Sequence, residues 1–119
     1  MQNDRKANFK ERSELVLSTC SKACKPHANI VISLGFVDDK LLVADCQMVS
    51  TIKNLKENPV ICVVSGYYRL RGKVEIYSDG KYFDACVQKS KGYDDSIVKH
   101  ALVISVDEVF DLDKGEKIL

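Results

Sequence analysis

The chain has no tryptophan, only two prolines, two histidines and two methionines, and no excess of charge of either sign. Its 18 basic and 17 acidic side chains leave a formal charge of +1, which argues against a nucleic-acid-binding module, because such domains carry a clear basic excess. The longest aliphatic run, Val60-Ile61-Cys62-Val63-Val64, is far short of the roughly 20 residues that cross a bilayer as a helix. The polar start, Met1-Gln2-Asn3-Asp4-Arg5-Lys6, leads into no apolar segment of the secretory kind. A cytoplasmic location, with no membrane and no nucleic acid as partner, is the expectation. No internal repeat and no low-complexity stretch is present. The familiar catalytic signatures are missing too: no G-x-S-x-G, no glycine-rich phosphate loop and no H-E-x-x-H. His27 and His100 stand far apart in sequence and read as surface or strand-edge residues rather than general bases.

What is present is an ordinary globular mixture, 45% hydrophobic and 29% charged, in 119 residues. At roughly 150 residues per domain this is one domain. The division expected is a polar arm over 1–14 and a folded domain over 15–119. The five cysteines, Cys20, Cys24, Cys46, Cys62 and Cys86, cannot all pair within one chain and read as reduced thiols. Cys62 and Cys86 fall in apolar patterns and read as small buried hydrophobes. Cys20, Cys24 and His27 have the spacing C-x3-C-x2-H, but no second ligand pair follows. A hairpin carrying two thiols is preferred, and no metal site is expected.

Strand signals dominate. Leu15 to Cys20 is apolar and β-branched, Lys22 to Pro26 is a turn, and Ala28 to Phe36 alternates as a second strand. Val37-Asp38-Asp39-Lys40 reads as a hairpin turn before a third strand, Leu41 to Asp45. The period then changes. Ser50 to Pro59 is a short helix, with Ile52 and Leu55 on one face, Ser50 or its neighbour as cap, and Asn58-Pro59 as the stop. Val60 to Ser65 is apolar almost throughout, as for a strand covered on both faces. Tyr67 to Ser78 alternates most clearly: Leu70, Val74 and Ile76 on one face, Arg69, Arg71, Lys73 and Glu75 on the other. Asp79-Gly80 opens a second helix with a stripe of Tyr82, Phe83, Cys86 and Val87, and Lys89 to Lys99 reads as a loop. A last strand runs from Ala101 to Leu112 with a bulge at Asp107-Glu108. About six strands in strand-turn-strand succession, with two short helices, predict a mainly β fold: an antiparallel sheet rolled into a barrel.

Two groups of residues could carry chemistry. A five-residue loop follows Asp45, and the helix start after it places the Ser50 and Thr51 hydroxyls and the Lys53 ammonium in one turn. Helix starts present free amides and a positive dipole end, so this turn is a candidate phosphate cradle, with simple capping as the plainer reading. Tyr67-Tyr68-Arg69-Leu70-Arg71-Gly72 sets two aromatics and two arginines together, suited to a planar ring or an anion, with ordinary cross-strand pairing as the plainer reading.

In this order, the segments resemble a known family. Pro26-x-x-Asn29, Leu41-Leu42-Val43-Ala44-Asp45, Thr51-Ile52-Lys53-Asn54-Leu55-Lys56-Glu57-Asn58-Pro59 and Tyr68-Arg69-Leu70-Arg71-Gly72-Lys73-Val74-Glu75-Ile76 are similar to the pyridoxamine 5′-phosphate oxidase-related, FMN-binding split-barrel proteins, in particular the small single-domain members. The likeness runs from about Leu15 to Leu112. It implies a six-stranded antiparallel split β-barrel, a homodimer, and FMN in the groove between subunits. It implies Asn29, Ile30 and Val31 beside the isoalloxazine and ribityl chain, Ala44 and Asp45 approaching the flavin, and Ser50 and Thr51 at the phosphate. Tyr67 or Tyr68 would reach the flavin from the other subunit. Members commonly carry Lys where Ser50 stands here, a loss that Lys53 would offset. The chain also lacks the C-terminal Trp and Arg segment of the oxidases proper, so vitamin B6 oxidation is not expected. The flavin-dependent oxidoreductase that results has a nicotinamide nucleotide or another small molecule as redox partner, and no catalytic side chain is assigned. A non-catalytic flavin carrier is one alternative. A barrel that binds another planar anion, such as heme or a different nucleotide, is the other.

Overall fold

A computed structural model describes residues 9–46, 48–91 and 97–118. The strands are β1 (Glu14–Cys20), β2 (Pro26–Ile32), β3 (Phe36–Val37), β4 (Lys40–Asp45), β5 (Val60–Ser65), β6 (Tyr68–Tyr77), β7 (His100–Asp111) and β8 (Glu116–Lys117). The helices are α1 (Ser50–Glu57) and α2 (Gly80–Ser90). One antiparallel sheet takes the order β2-β1-β5-β6-β7-β4-β3, with β8 on β7. It curls without closing, and the split lies between β2 and the β3–β4 edge. At one end of the split the backbone bridges the gap: the Leu34 amide donates to Leu42 O and the Leu42 amide to Gly35 O, both at 3.0 Å. This is the mainly β, antiparallel split barrel that the sequence predicts. The six expected strands are all there, but the second runs from Pro26 only to Ile32, with Phe36 in the separate two-residue β3, and β8 is a further two-residue piece.

Local chemistry accounts for the turns. Asp38 and Asp39 both take positive φ, the geometry of a tight primed hairpin, so Val37 pairs with Lys40. Pro26 has no amide to donate, yet it pairs opposite Cys20, which is tolerated because β2 is an edge strand. The β6–β7 ladder slips by one residue: Arg71 faces Glu108 and Gly72 faces Val106, so Asp107 is the extra residue of the predicted bulge.

The inner face of the sheet and α1 share one core, including Leu15, Leu17, Leu41, Val43, Ile61, Val63, Leu70 and Ile104. α1 contributes Ile52 and Leu55 to it, each removed from water at a gain of about 1.5–3 kcal/mol. Phe9, fully buried, joins the same core and is held by Ser33 Oγ donating to Phe9 O at 2.6 Å. α2 covers the opposite face of β4 and β7 over Leu42, Ala101 and Val103. β4 and β7 are therefore the strands covered on both sides. β5, for which that was expected, turns Ile61 and Val63 inward but leaves Val60 exposed and Cys62 and Val64 only half-buried. The outer face of β2, β1 and β5 thus presents Ile30, Ile32, Val16 and Val60 to solvent. The second helix runs two residues further than expected, through Ser90, and residues 92–96 of the expected loop lie outside the described residues, as do 1–8 of the arm. No helix among the described residues is long and apolar enough to cross a membrane.

Candidate functional site

A cleft of about 600 Å³ occupies the split of the barrel. Its first wall is β2, whose outer backbone edge has no strand partner among the described residues, and His27, Asn29, Ile30, Val31 and Ile32 all line it. Its second wall is the end of β4 and the start of α1, through Ala44, Cys46, Met48, Val49 and Ser50. Leu34 and Ser90, the last residue of α2, complete the lining.

The start of α1 is open. Val49 occupies the cap position with helical backbone angles, among the described residues no side chain caps the first turn, and no acidic residue lies in it. Ser50, expected as a cap, is inside the helix and exposed at the cleft. The first-turn amides and the positive dipole end are thus left for an anion. Thr51 is only 1% exposed, and its hydroxyl donates to Asn29 Oδ1 at 3.2 Å, fastening α1 to β2. One turn on, Asn54 Nδ2 donates to Thr19 Oγ1 at 3.1 Å, and at the helix end Asn58 Nδ2 contacts Cys20 Sγ at 3.1 Å. Thr51 thus ties the helix start to the edge strand β2, and Asn54 and Asn58 tie the rest of the helix to β1.

Asp45 lies behind the second wall and is 1% exposed. Its Oδ1 accepts the Met48 amide at 2.6 Å, its Oδ2 meets His100 Nδ1 at 2.5 Å, and its backbone O accepts the Lys99 amide at 2.7 Å. It shapes the loop leading into α1 and is walled off from the cleft.

Of the residues expected at the cofactor, the cleft brings together Asn29, Ile30, Val31, Ala44 and Ser50. Asp45 and Thr51 sit directly behind its walls, and Lys53 is exposed on α1 without lining it. Tyr67 and Tyr68 lie at a separate hollow of about 500 Å³, beside Asp111 and Lys114. Cys24 is exposed in the β1–β2 turn, Cys20 is half-buried, and no group of three or more His, Cys, Asp or Glu among the described residues is arranged to hold a metal ion. Sequence reasoning missed His27, Ile32, Leu34, Cys46, Met48, Val49 and Ser90. For His27 a signal existed, because it alternates with Asn29 and Val31 along β2. For Ser90 there was none, since only the packing of α2 brings it to β4.

Comparison with known proteins agrees with this fold. The family model described as pyridoxamine 5′-phosphate oxidase matches residues 3–113. The chain belongs to that family. An uncharacterized protein of Methanocaldococcus jannaschii is 26% identical over 114 residues, covering 88% of this chain and 76% of that protein. The Group A Streptococcus protein HupZ superposes with a TM-score of 0.88 at 21% identity, over 100% of both chains. An FMN-binding protein from Syntrophomonas wolfei superposes with a TM-score of 0.70 at 18% identity, over 87% of this chain and 78% of that one. At these identities the two structures speak for the fold. Together with the family match, they place the chain in the pyridoxamine 5′-phosphate oxidase family with a split-barrel fold.

Proposed function

We propose that the cleft binds FMN and that the protein is a flavin-dependent oxidoreductase working as a homodimer. The observation that carries the reading is the meeting of an unpaired strand edge and an uncapped helix start in one cleft. The residues present fit the cofactor. The volume suits a ligand of FMN size, within the usual range of about 300–1,000 Å³. Val31, Leu34, Ala44 and Met48 give apolar surface to a ring system. The free edge of β2 offers N–H and C=O groups to the polar rim of that ring. The helix start and the Ser50 hydroxyl suit a terminal phosphate.

Bound flavin would supply the hydride or electron chemistry. The chain's own residues hold and orient it: β2 sets the ring, α1 neutralises the phosphate, and the Asp45-braced loop keeps the second wall in place. With both Asp45 oxygens committed and Thr51 tied to Asn29, neither serves as an acid or base in this reading.

The dimer follows from the open face. Ile30, 69% exposed, and Ile32 belong both to the cleft and to the apolar outer surface that continues through Val16 and Val60. A second copy seated there would cover that surface and exclude water from the cleft. Tyr67 or Tyr68 reaching the cleft from that second subunit belongs to the same proposal.

Titrating the protein with FMN, by quenching of flavin fluorescence, tests the reading. Saturable binding of one FMN per chain is expected, and Ser50→Glu, which sets a carboxylate at the phosphate end without disturbing the core, should abolish it. Equal FMN affinity in the wild type and Ser50→Glu would refute the phosphate assignment.

A further inference from the structure

The two walls of the cleft meet where Leu34 pairs with Leu42, and the cleft opens beyond that joint, along Ile32 and Ile30 on one side and Ala44 and Cys46 on the other. The segment from Phe9 to Ser13 is fastened to both sides of the joint. It grips the first wall through Ser33, which follows β2 and is fully buried. Ser33 Oγ donates to Phe9 O at 2.6 Å and accepts the Gly35 amide at 2.9 Å. The Ser33 amide donates to Ser13 O and the Arg12 amide to Ser33 O, each at 2.8 Å. It reaches the second wall through α2, which backs β4 at Leu42: Glu11 pairs with Lys89 at 3.9 Å. Leu34 and Ser90, which complete the lining of the cleft, are thus each next in sequence to a residue that this segment holds. Two features make the attachment releasable. Phe9 is its one buried side chain, with Lys10, Glu11 and Arg12 all exposed. Arg12 also sits at a φ of 76°, a conformation that a non-glycine residue keeps only while its surroundings impose it.

We propose that Phe9 to Ser13 is a clasp whose docking is coupled to occupancy of the cleft. With Phe9 in the core, Ser33 is held and the joint at Leu34 and Leu42 sets the spacing of the walls. With Phe9 released, Ser33 loses its bonds to Phe9, Arg12 and Ser13, and the walls part. A ligand that touches both walls binds the docked form more tightly, so by linkage it also holds the clasp down. The clasp goes beyond the FMN reading, because it acts on any ligand that fills the split.

Three cysteines serve as reporters on the full chain. Cys46 lines the cleft, Cys24 is exposed in the β1–β2 turn, and Cys86 is buried in the core. Arg12→Pro removes the amide that donates to Ser33 and forbids the positive φ, so it releases the clasp without changing a core side chain. Phe9→Ala removes the anchor itself. In either variant, without ligand, iodoacetamide should label Cys46 about fivefold faster or more, with Cys24 unchanged and Cys86 still unlabelled. In the wild type, saturating FMN should slow hydrogen exchange of the Arg12 and Ser33 amides by about fivefold or more. Unchanged labelling of Cys46 in a folded variant would overturn the clasp, and so would unchanged exchange in wild type that has bound FMN. Labelling of Cys86 in both variants would also overturn it, because the segment would then be part of the core and not a clasp on it. A wild type that takes up no FMN would refute the flavin reading alone, and Cys46 labelling would then decide the clasp.

Discussion

The Asp45 carboxylate and the His100 imidazole meet at 2.5 Å, joining the end of β4 to the start of β7 where the two strands pair. The other carboxylate oxygen holds the Met48 amide, so one buried side chain braces both the sheet and the loop that walls the cleft. His100→Ala would leave that carboxylate buried with one partner fewer. The expected cost is about 1–3 kcal/mol, read as a lower midpoint in urea. FMN affinity should fall with it as the wall loosens. An unchanged midpoint would show that Asp45 does not depend on His100.

Gly72 has a backbone reason to be glycine. A Cβ placed there would lie 2.1 Å from Ser105 O, a backbone atom held in the β6–β7 ladder. Gly72→Ala should force the bulge apart and cost about 1–3 kcal/mol or more. A calorimetric transition equal to that of the wild type would contradict this close approach.

Much of the fold was legible because each strand announces itself locally. Tyr67 to Ser78 alternates in sequence and alternates in burial, and the Asp38-Asp39 pair marks its turn. Coverage of the second face was harder to read. Apolar runs look alike in β4 and β5, yet α2 covers only β4 and leaves Val60 and Val64 outside. Half of the site was legible too, because Asn29, Ile30 and Ser50 lie in segments with a recognisable order. Asp45 and Thr51 sit in the expected places, but they look away from the cleft. Their partners, His100 and Asn29, are 55 and 22 residues distant, and no local pattern encodes such pairings.

The thiols should differ sharply in reactivity. Burial pushes the Cys86 thiol up to about 11, with Cys46 adding to the shift, whereas Cys24 is exposed in the β1–β2 turn. Iodoacetamide at pH 8 should label Cys24 in the native protein and reach Cys86 only after unfolding, as mass spectrometry of peptides will show. The same shift has a stability consequence. The unfolded chain gives up this proton near 9.0 and the folded chain near 11, so stability should decline as pH climbs across that interval. Native labelling of Cys86 at the rate of Cys24 would contradict its burial.

The open outer face should govern assembly. Val60 is 42% exposed on β5, so a charge there disturbs no core of the single chain. Val60→Glu should leave the circular dichroism spectrum unchanged while light scattering at micromolar concentration moves from dimer to monomer. FMN retention should weaken in parallel, since the cleft then opens to water. A wild-type chain that is monomeric under those conditions would remove the dimer from the account.

Central to the account is a cofactor held between the edge of β2 and the start of α1. The most direct measurement is the absorption spectrum of freshly purified protein, followed by mass identification of whatever is released on denaturation. A yellow protein with a flavin band at ~450 nm that releases FMN, about one per chain, is the expected result. A colourless protein that takes up no FMN when it is supplied, or one that releases a different chromophore, would contradict it.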